Sequence, residues 1–311
     1  STENLSDDEE RSVRTQKRYD YVLYAMVPIQ FVLLGWYLYL VGFGDLTLVE
    51  LAGKTATMGL LCGVLGINVA HELGHRRKRF EQHLAQALLM TTSYMHFFIE
   101  HNRGHHARVA TDDDPATSRY GEWIYAYLPR TMFFSYVDAW KLEKSRLDKR
   151  ERHWLCWENQ MVRFTVYQLA FVALIGLAFG AAGAAAFAIV SLLGALLLES
   201  VNYLEHYGLK REQRPDGSYE RVAPVHSWNS NHPLGRVLLF ELSRHSDHHA
   251  NARRKYQTLR HFDDSPQLPT GYPGMVLLAW FPPLWFAVMH PHLDRYRRRV
   301  ADEQLALAPA E

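Results

Sequence analysis

Apolar and polar positions fall in long blocks along this chain rather than at the spacing of a soluble amphipathic helix or strand. Residues 21–44 carry no formal charge, and a helix of about 20 apolar residues crosses the hydrocarbon core of a bilayer. No small-residue cleavage site follows a short apolar region, so this block reads as a retained span rather than a signal peptide. A turn around Gly42–Asp45 leads to a second span, 48–70, from which Lys54 can snorkel to the interface. Residues 164–198 are again uncharged; as one helix they would measure about 52 Å, against a hydrocarbon core of about 30 Å. A hairpin fits better, with spans at 162–180 and 184–205 and a turn at Gly180–Gly183. Two more apolar stretches, 84–99 and 274–289, read as re-entrant or interfacial: the first is short, and Pro282 and Pro283 break the second.

The polar blocks orient these spans. Arg11, Arg14, Lys17 and Arg18 precede the first span, and Arg76, Arg77, Lys78 and Arg79 follow the second. Basic flanks favour the cytoplasmic side, and the second run also reads as a stop-transfer or head-group anchor. Parity returns residues 199–208 to that face, where 209–270 would form a cap. Residues 111–163 are polar and carry Trp123, Trp140, Trp154 and Trp157 among lysines and arginines, an interfacial composition. The predicted fold is all-α: an integral membrane helical bundle with a cytoplasmic histidine-rich helical cap. It divides into a charged, frayed segment 1–20, one membrane domain 21–291 and a loose tail 292–311.

Composition narrows the chemistry. A net charge of +1 argues against a nucleic-acid binder. The two cysteines, Cys62 and Cys156, form no CxxC pair, which excludes a disulfide framework and a thiolate metal site. Histidine stands out, with 17 copies. Eight fall in three clusters: His71 and His75 in HELGH; His101, His105 and His106 in EHNRGHH; His245, His248 and His249 in RHSDHH. At helical spacing His101 and His105 share a face, one turn apart, and such a pair can grip one ion. Neutral imidazole suits iron, zinc, copper or nickel, and eight ligands exceed the needs of one ion. His206, in NYLEHYGL, is a ninth candidate at the same membrane level. Glu72, Glu100, Glu205 and Asp247 could accept hydrogen bonds from the far nitrogens of these imidazoles; the alternatives are salt bridges to Arg103 or Arg244, or direct metal binding by one of the four. His83, His96, His153, His261, His290 and His292 are isolated and read as surface or interfacial groups, while His226 and His232 belong to a loop that could support the site.

HELGH, EHNRGHH, NYLEHYGL and RHSDHH, in this order, resemble the signature motifs of the membrane alkane 1-monooxygenases, the AlkB-type hydroxylases of the membrane fatty acid desaturase and hydroxylase superfamily. DPATSR (Asp114–Arg119), HSWNSNH (His226–His232) and PTGYPG (Pro269–Gly274) extend the likeness, which runs from about Tyr19 to Pro291. The resemblance implies two non-haem iron ions held by His71, His75, His101, His105, His106, His206, His245, His248 and His249. It also implies O2-dependent terminal hydroxylation of medium-chain n-alkanes in the inner membrane, with the site on the cytoplasmic side. Electrons would come from rubredoxin and, upstream, a rubredoxin reductase; Arg253, Arg254 and Lys255 offer a basic docking surface for that acidic carrier. The alkane channel is expected along Phe164–Leu198 and Leu84–Phe98. One departure is visible: the family usually has six spanning helices, and four are found here. The competing readings are a fatty acyl desaturase or another di-iron hydroxylase, an intramembrane zinc protease built on HExxH, and a metal transporter.

Overall fold

The computed structural model describes residues 2–307, with side chains through Asp302. Among the described residues every regular element is a helix, and β structure is limited to two isolated bridges. In chain order the elements are α1 (Asp7–Thr15), α2 (Lys17–Phe43), α3 (Leu48–Gly74), α4 (Arg79–Met90), α5 (97–108), α6 (Ile124–Asp148) and α7 (Gln160–His206). The cap then carries α8 (Pro233–Leu238), α9 (His245–Ala250), α10 (Tyr272–Ala279) and α11 (Pro282–Leu307). Among the described residues only α2, α3 and α7 are long and apolar enough to cross a membrane.

The 47 residues of α7 are two helices. Gly180 has φ 71° and ψ −175°, a conformation open to residues without a Cβ. The rings of Phe171 and Phe187 lie 5.5 Å apart, whereas sixteen residues of unbroken helix would separate them by about 24 Å. The chain therefore doubles back at Gly180, and the two halves pack side by side. The second half also approaches α3 closely. A Cβ on Gly194 would lie 2.8 Å from the Cβ of Cys62, so a glycine there lets the two backbones come together. Opposite this contact α3 widens into a π-turn over Cys62–Ile67.

Two expectations, both about the termini, need correction, and the break expected at Pro282 and Pro283 is found. The N-terminal segment is ordered: Ser6 and Glu9 form a capping box on α1. Glu10 then pairs with Arg254 at 2.7 Å and with Arg260, tying the acidic helix to the basic cap. The C-terminal tail is helical where described, since α11 continues through Pro291 to Leu307. Its Leu293 is fully buried in an aromatic core with Tyr203, Tyr207, Trp228 and Trp285; only the last four residues of the expected tail lie outside the described ones. The apolar stretch 274–289 breaks at Trp280–Phe281, ahead of its prolines. Pro282 and Pro283 then open α11, where a missing N–H leaves no hydrogen bond unmade. The stretch 84–99 falls across α4, a turn with Ser93 at φ 49°, and the start of α5; α4 alone is about 18 Å long, too short to cross.

Candidate metal centre

Four elements bring nine histidines together. His71 lies in the last turn of α3, and His75 caps that helix. His101, His105 and His106 come from α5, His206 is the last residue of α7, and His245, His248 and His249 line the short α9. Seven are buried, while His75 and His106 keep partly exposed edges. Burial and then neighbouring imidazoles hold His75, His101, His106, His248 and His249 well below the ordinary histidine range. They are neutral near pH 7, the form that binds metals.

The ring nitrogens sort into two groups. The first contains His71, His75, His101, His106 and His248. Its Nε2 atoms make a chain of close contacts: His75 to His101 at 3.1 Å, His101 to His106 at 3.0 Å, His106 to His248 at 3.2 Å and His248 to His71 at 2.9 Å. Each Nε2 has one in-plane direction for one hydrogen bond, so a nitrogen with two such neighbours cannot satisfy both. A cation at their common focus can. Nitrogens bound at about 2.1 Å to one ion stand roughly 3.0 to 3.4 Å apart, which matches the observed spacing. The second group is His105, His206 and His249, with Glu205 and His245 alongside. His105 and His249 approach to 3.3 Å through Nε2, and among the described residues the buried Nε2 of His206 and Nδ1 of His245 have no hydrogen-bond partner. The donor sets fit two ions, of a kind that accepts imidazole.

This grouping separates residues that helical spacing had joined. His101 belongs to the first group and His105 to the second. The cause is the π-turn over His101–His105, which aligns positions five apart instead of four; His101 consequently meets His106. α9 is an ordinary helical turn, and it sends His248 to the first group and the i, i+4 pair His245 and His249 to the second.

The carboxylates divide differently from the sequence reading. Glu72 is bound to Arg76 at 2.6 Å and accepts from the Tyr256 amide. A zinc hydrolase would need it aimed at a water, so the geometry speaks against a protease. Asp247 accepts from the Arg260 amide at 2.8 Å and pairs with Arg254 at 3.1 Å. Neither touches an imidazole. Glu100 lies 3.7 Å from Arg108, beside the space that His101 and His105 border. Glu205 alone of the four reaches a cluster histidine, its Oε2 3.1 Å from His245 Nε2, while Tyr272 donates to Oε1 at 2.8 Å. Sequence reasoning missed Asp114 as a partner: its Oδ2 accepts from His105 Nδ1 at 2.9 Å, with Thr117 donating at 2.6 Å. Burial opposes its charge, but His105 and Thr117 outweigh that and hold the carboxyl below its usual range. The signal was its place in DPATSR. Of the basic trio beside the third cluster, Arg254 pairs with Glu10 and Asp247, Lys255 pairs with Asp20 at 2.8 Å, and Arg253 is exposed. Among the other histidines, His83 and His153 are exposed, whereas His96 and His261 are buried, so the surface reading fails for those two. His226 bonds Glu220 at 3.0 Å, outside both groups.

An apolar cavity of about 400 Å3 reaches His71 and His101. Its walls include Leu60 and Val64 of α3, Leu197 of α7, Leu238 of α8 and Val276 of α10, and Asn68, Asn202 and Glu205 border it as well. The expected stretches give this cavity only Phe97 and the pair Leu197 and Leu198, but they line a second cavity of about 580 Å3, with Thr92, Tyr94 and His96 from the first and Val172, Phe187 and Ala195 from the second. The hydrophobic cavity is walled mainly where α3 and α7 meet the cap.

A helical membrane bundle topped by two adjoining imidazole groups defines a membrane metalloprotein. The family model for fatty acid desaturases matches residues 48–279. The chain is 46% identical over 244 residues to alkane 1-monooxygenase 2 of Pseudomonas aeruginosa, covering 78% of this chain and 65% of that protein. It is 38% identical over 286 residues to the alkane 1-monooxygenase of Acinetobacter baylyi, covering 92% and 70%. It is also 28% identical over 296 residues to XylM, the xylene/toluene monooxygenase hydroxylase component of Pseudomonas putida, covering 93% and 79%. The chain thus belongs to the membrane fatty acid desaturase and hydroxylase superfamily, within its alkane 1-monooxygenase branch. It spans just under two thirds of the Pseudomonas aeruginosa relative's length.

Proposed function

We propose that this chain carries the active site of a membrane alkane 1-monooxygenase, which converts a medium-chain n-alkane, O2, two electrons and two protons to a 1-alkanol and water. The observation that carries the reading is the apolar cavity ending on His71 and His101 of the first imidazole group. An alkane gains about 0.8 kcal/mol per CH2 buried in any apolar site, so affinity alone does not choose a carbon. Selection of the chain end falls to the cavity's shape. Its leucine and valine walls also keep water from the reacting carbon.

The residues that would hold two irons are His71, His75, His101, His106 and His248 in one group, and His105, His206, His245 and His249 in the other, with Glu205 as an additional donor. When bound, the irons supply the redox chemistry by which O2 is reduced and the C–H bond oxidised. The chain's own part is orientation. Asp114 keeps the His105 proton on Nδ1 and leaves Nε2 free. The Tyr272 hydroxyl fixes one oxygen of Glu205 and leaves the other directed at His245.

The two halves of α7, with α2 and α3, support a four-pass unit in the inner membrane, and the basic flanks support a cytoplasmic cap. Rubredoxin is the proposed electron donor. Arg253 can serve its docking, and the exposed Arg77, Lys78 and Arg79 beside the partly exposed His75 extend the basic surface. Arg254 and Lys255 serve internal ion pairs first. Metal analysis of the detergent-purified protein tests the core of the proposal. About two irons per chain, lost from a His105→Ala, His249→Ala variant, with octanol formed from octane in the presence of rubredoxin and its reductase, is the expected result. A single zinc indifferent to both substitutions would sink it.

A further inference from the structure

Glu199 is a carboxylate in the second half of α7, 2% exposed, in a chain segment otherwise free of charge since Arg163. Its partners are all neutral donors. Tyr94 donates to Oε1 at 2.8 Å, and Thr131 and Asn202 donate to Oε2 at 3.0 and 3.2 Å. Three donors converge on its two oxygens, an arrangement that favours the ionised form. No Lys or Arg forms an ion pair with it among the described residues. A buried anion without a cation is costly, and the compensating charge has to come from elsewhere.

The surroundings indicate where. Glu199 borders a small internal space together with His101 of the first group and His105 of the second. One turn further along α7, Asn202, its donor, borders the apolar cavity beside His71 and His101. Two ions held mostly by neutral imidazoles keep nearly their full positive charge. Asp114 and Glu205 border the groups in the same way, likewise without a Lys or Arg ion pair. Those two act directly on ligand histidines, whereas Glu199 touches none of them through any of its hydrogen bonds.

We propose that Glu199 is a fixed counter-charge shared by both metal sites, a positioning residue that favours their oxidised state and lowers their reduction potential. The inference rests on the two-metal reading above. With irons bound at both groups, reduction would add one electron per ion from an external one-electron carrier, and no proton need move at Glu199. Loss of its charge makes each reduction more favourable.

The test uses the full chain loaded with iron. Glu199→Gln keeps the volume and an acceptor oxygen but removes the charge; Glu199→Asp keeps the charge; Tyr94→Phe and Thr131→Val remove donors and leave it. Iron content and the midpoint potential, followed by Mössbauer spectroscopy during a redox titration, are the readouts. The expected result is unchanged iron content and a more positive potential in Glu199→Gln, with the equilibrium constant for reduction raised ~10-fold or more on loss of a buried unit charge. Glu199→Asp should stay near wild type, and the two donor variants should shift less than Glu199→Gln. If Glu199→Gln loses its iron while Glu199→Asp retains it, the requirement for charge is supported as well. An unchanged potential in Glu199→Gln, equal shifts in the donor variants, or iron lost from Gln and Asp variants alike would overturn the proposal. A wild type with two irons that forms no alkanol fails the proposed function while leaving this measurement decisive for Glu199.

Discussion

At the scale of residues, what matters is which nitrogen meets which. The π-turn in α5 assigns His101 and His105 to different groups, so each should matter for a different ion. His101→Ala and His105→Ala are each expected to lower the iron count by about one rather than two, with different Mössbauer signals remaining; identical residual spectra would contradict the division. The neutral imidazoles also predict a pH response of the metal-free protein. His75, His101, His106, His248 and His249 are held below the ordinary range, so below about pH 6.5 the unfolded chain binds more protons than the folded one. Stability is then lost as pH falls, by up to about 1.4 kcal/mol per pH unit for each such histidine. The thermal midpoint of chelator-stripped protein should be level above about pH 7 and drop below it. A midpoint flat down to about pH 5.5 would refute this reading of the cage.

Among elements, the decisive features are the break in α7 and the close contact of α7 with α3. Gly180 has open space where a Cβ would stand, yet its φ of 71° disfavours any L side chain. Gly180→Ala is therefore expected to cost about 1–3 kcal/mol through backbone strain alone, read as a lower thermal midpoint in detergent with unaltered helix content. No change would mean that the hairpin has another conformation at this point. The hairpin was legible in the sequence because an uncharged run longer than a bilayer must fold back, and glycines marked the place. α1 was not legible as a docked element. Its capping box could be read from Ser6 and Glu9, but its partners Arg254 and Arg260 lie more than two hundred positions away in the chain.

For the whole molecule, the cavity joins the spanning helices to the cap. Val64 of α3 and Val276 of α10 both line it. Replacing either with phenylalanine should shorten the preferred alkane while leaving the oxidised carbon terminal, measured by gas chromatography of products from an alkane series. An unchanged chain-length profile from both variants would detach the cavity from the substrate. Sequence reasoning sought the walls in the longest apolar segments, and those segments line the second cavity, whose walls include none of the nine cluster histidines. The walls of the cavity that reaches His71 and His101 are short runs from α3, α5, α7, α8 and α10, and no local pattern distinguishes them from ordinary core.

What the sequence determined by itself is whatever depends on local composition: the uncharged blocks that form spans, the basic flanks, and nine histidines in motifs spaced along helices. These are properties of consecutive residues, and they survive any packing. Only the tertiary structure decided the partition of those histidines into two groups, the choice of Asp114 rather than Glu72 or Asp247 as an imidazole partner, and the burial of Glu199 beside both. Each depends on distances of a few ångströms between elements far apart in the chain. Those distances follow from how α3, α5, α7 and α9 pack against one another, and a single π-turn is enough to redirect a ligand.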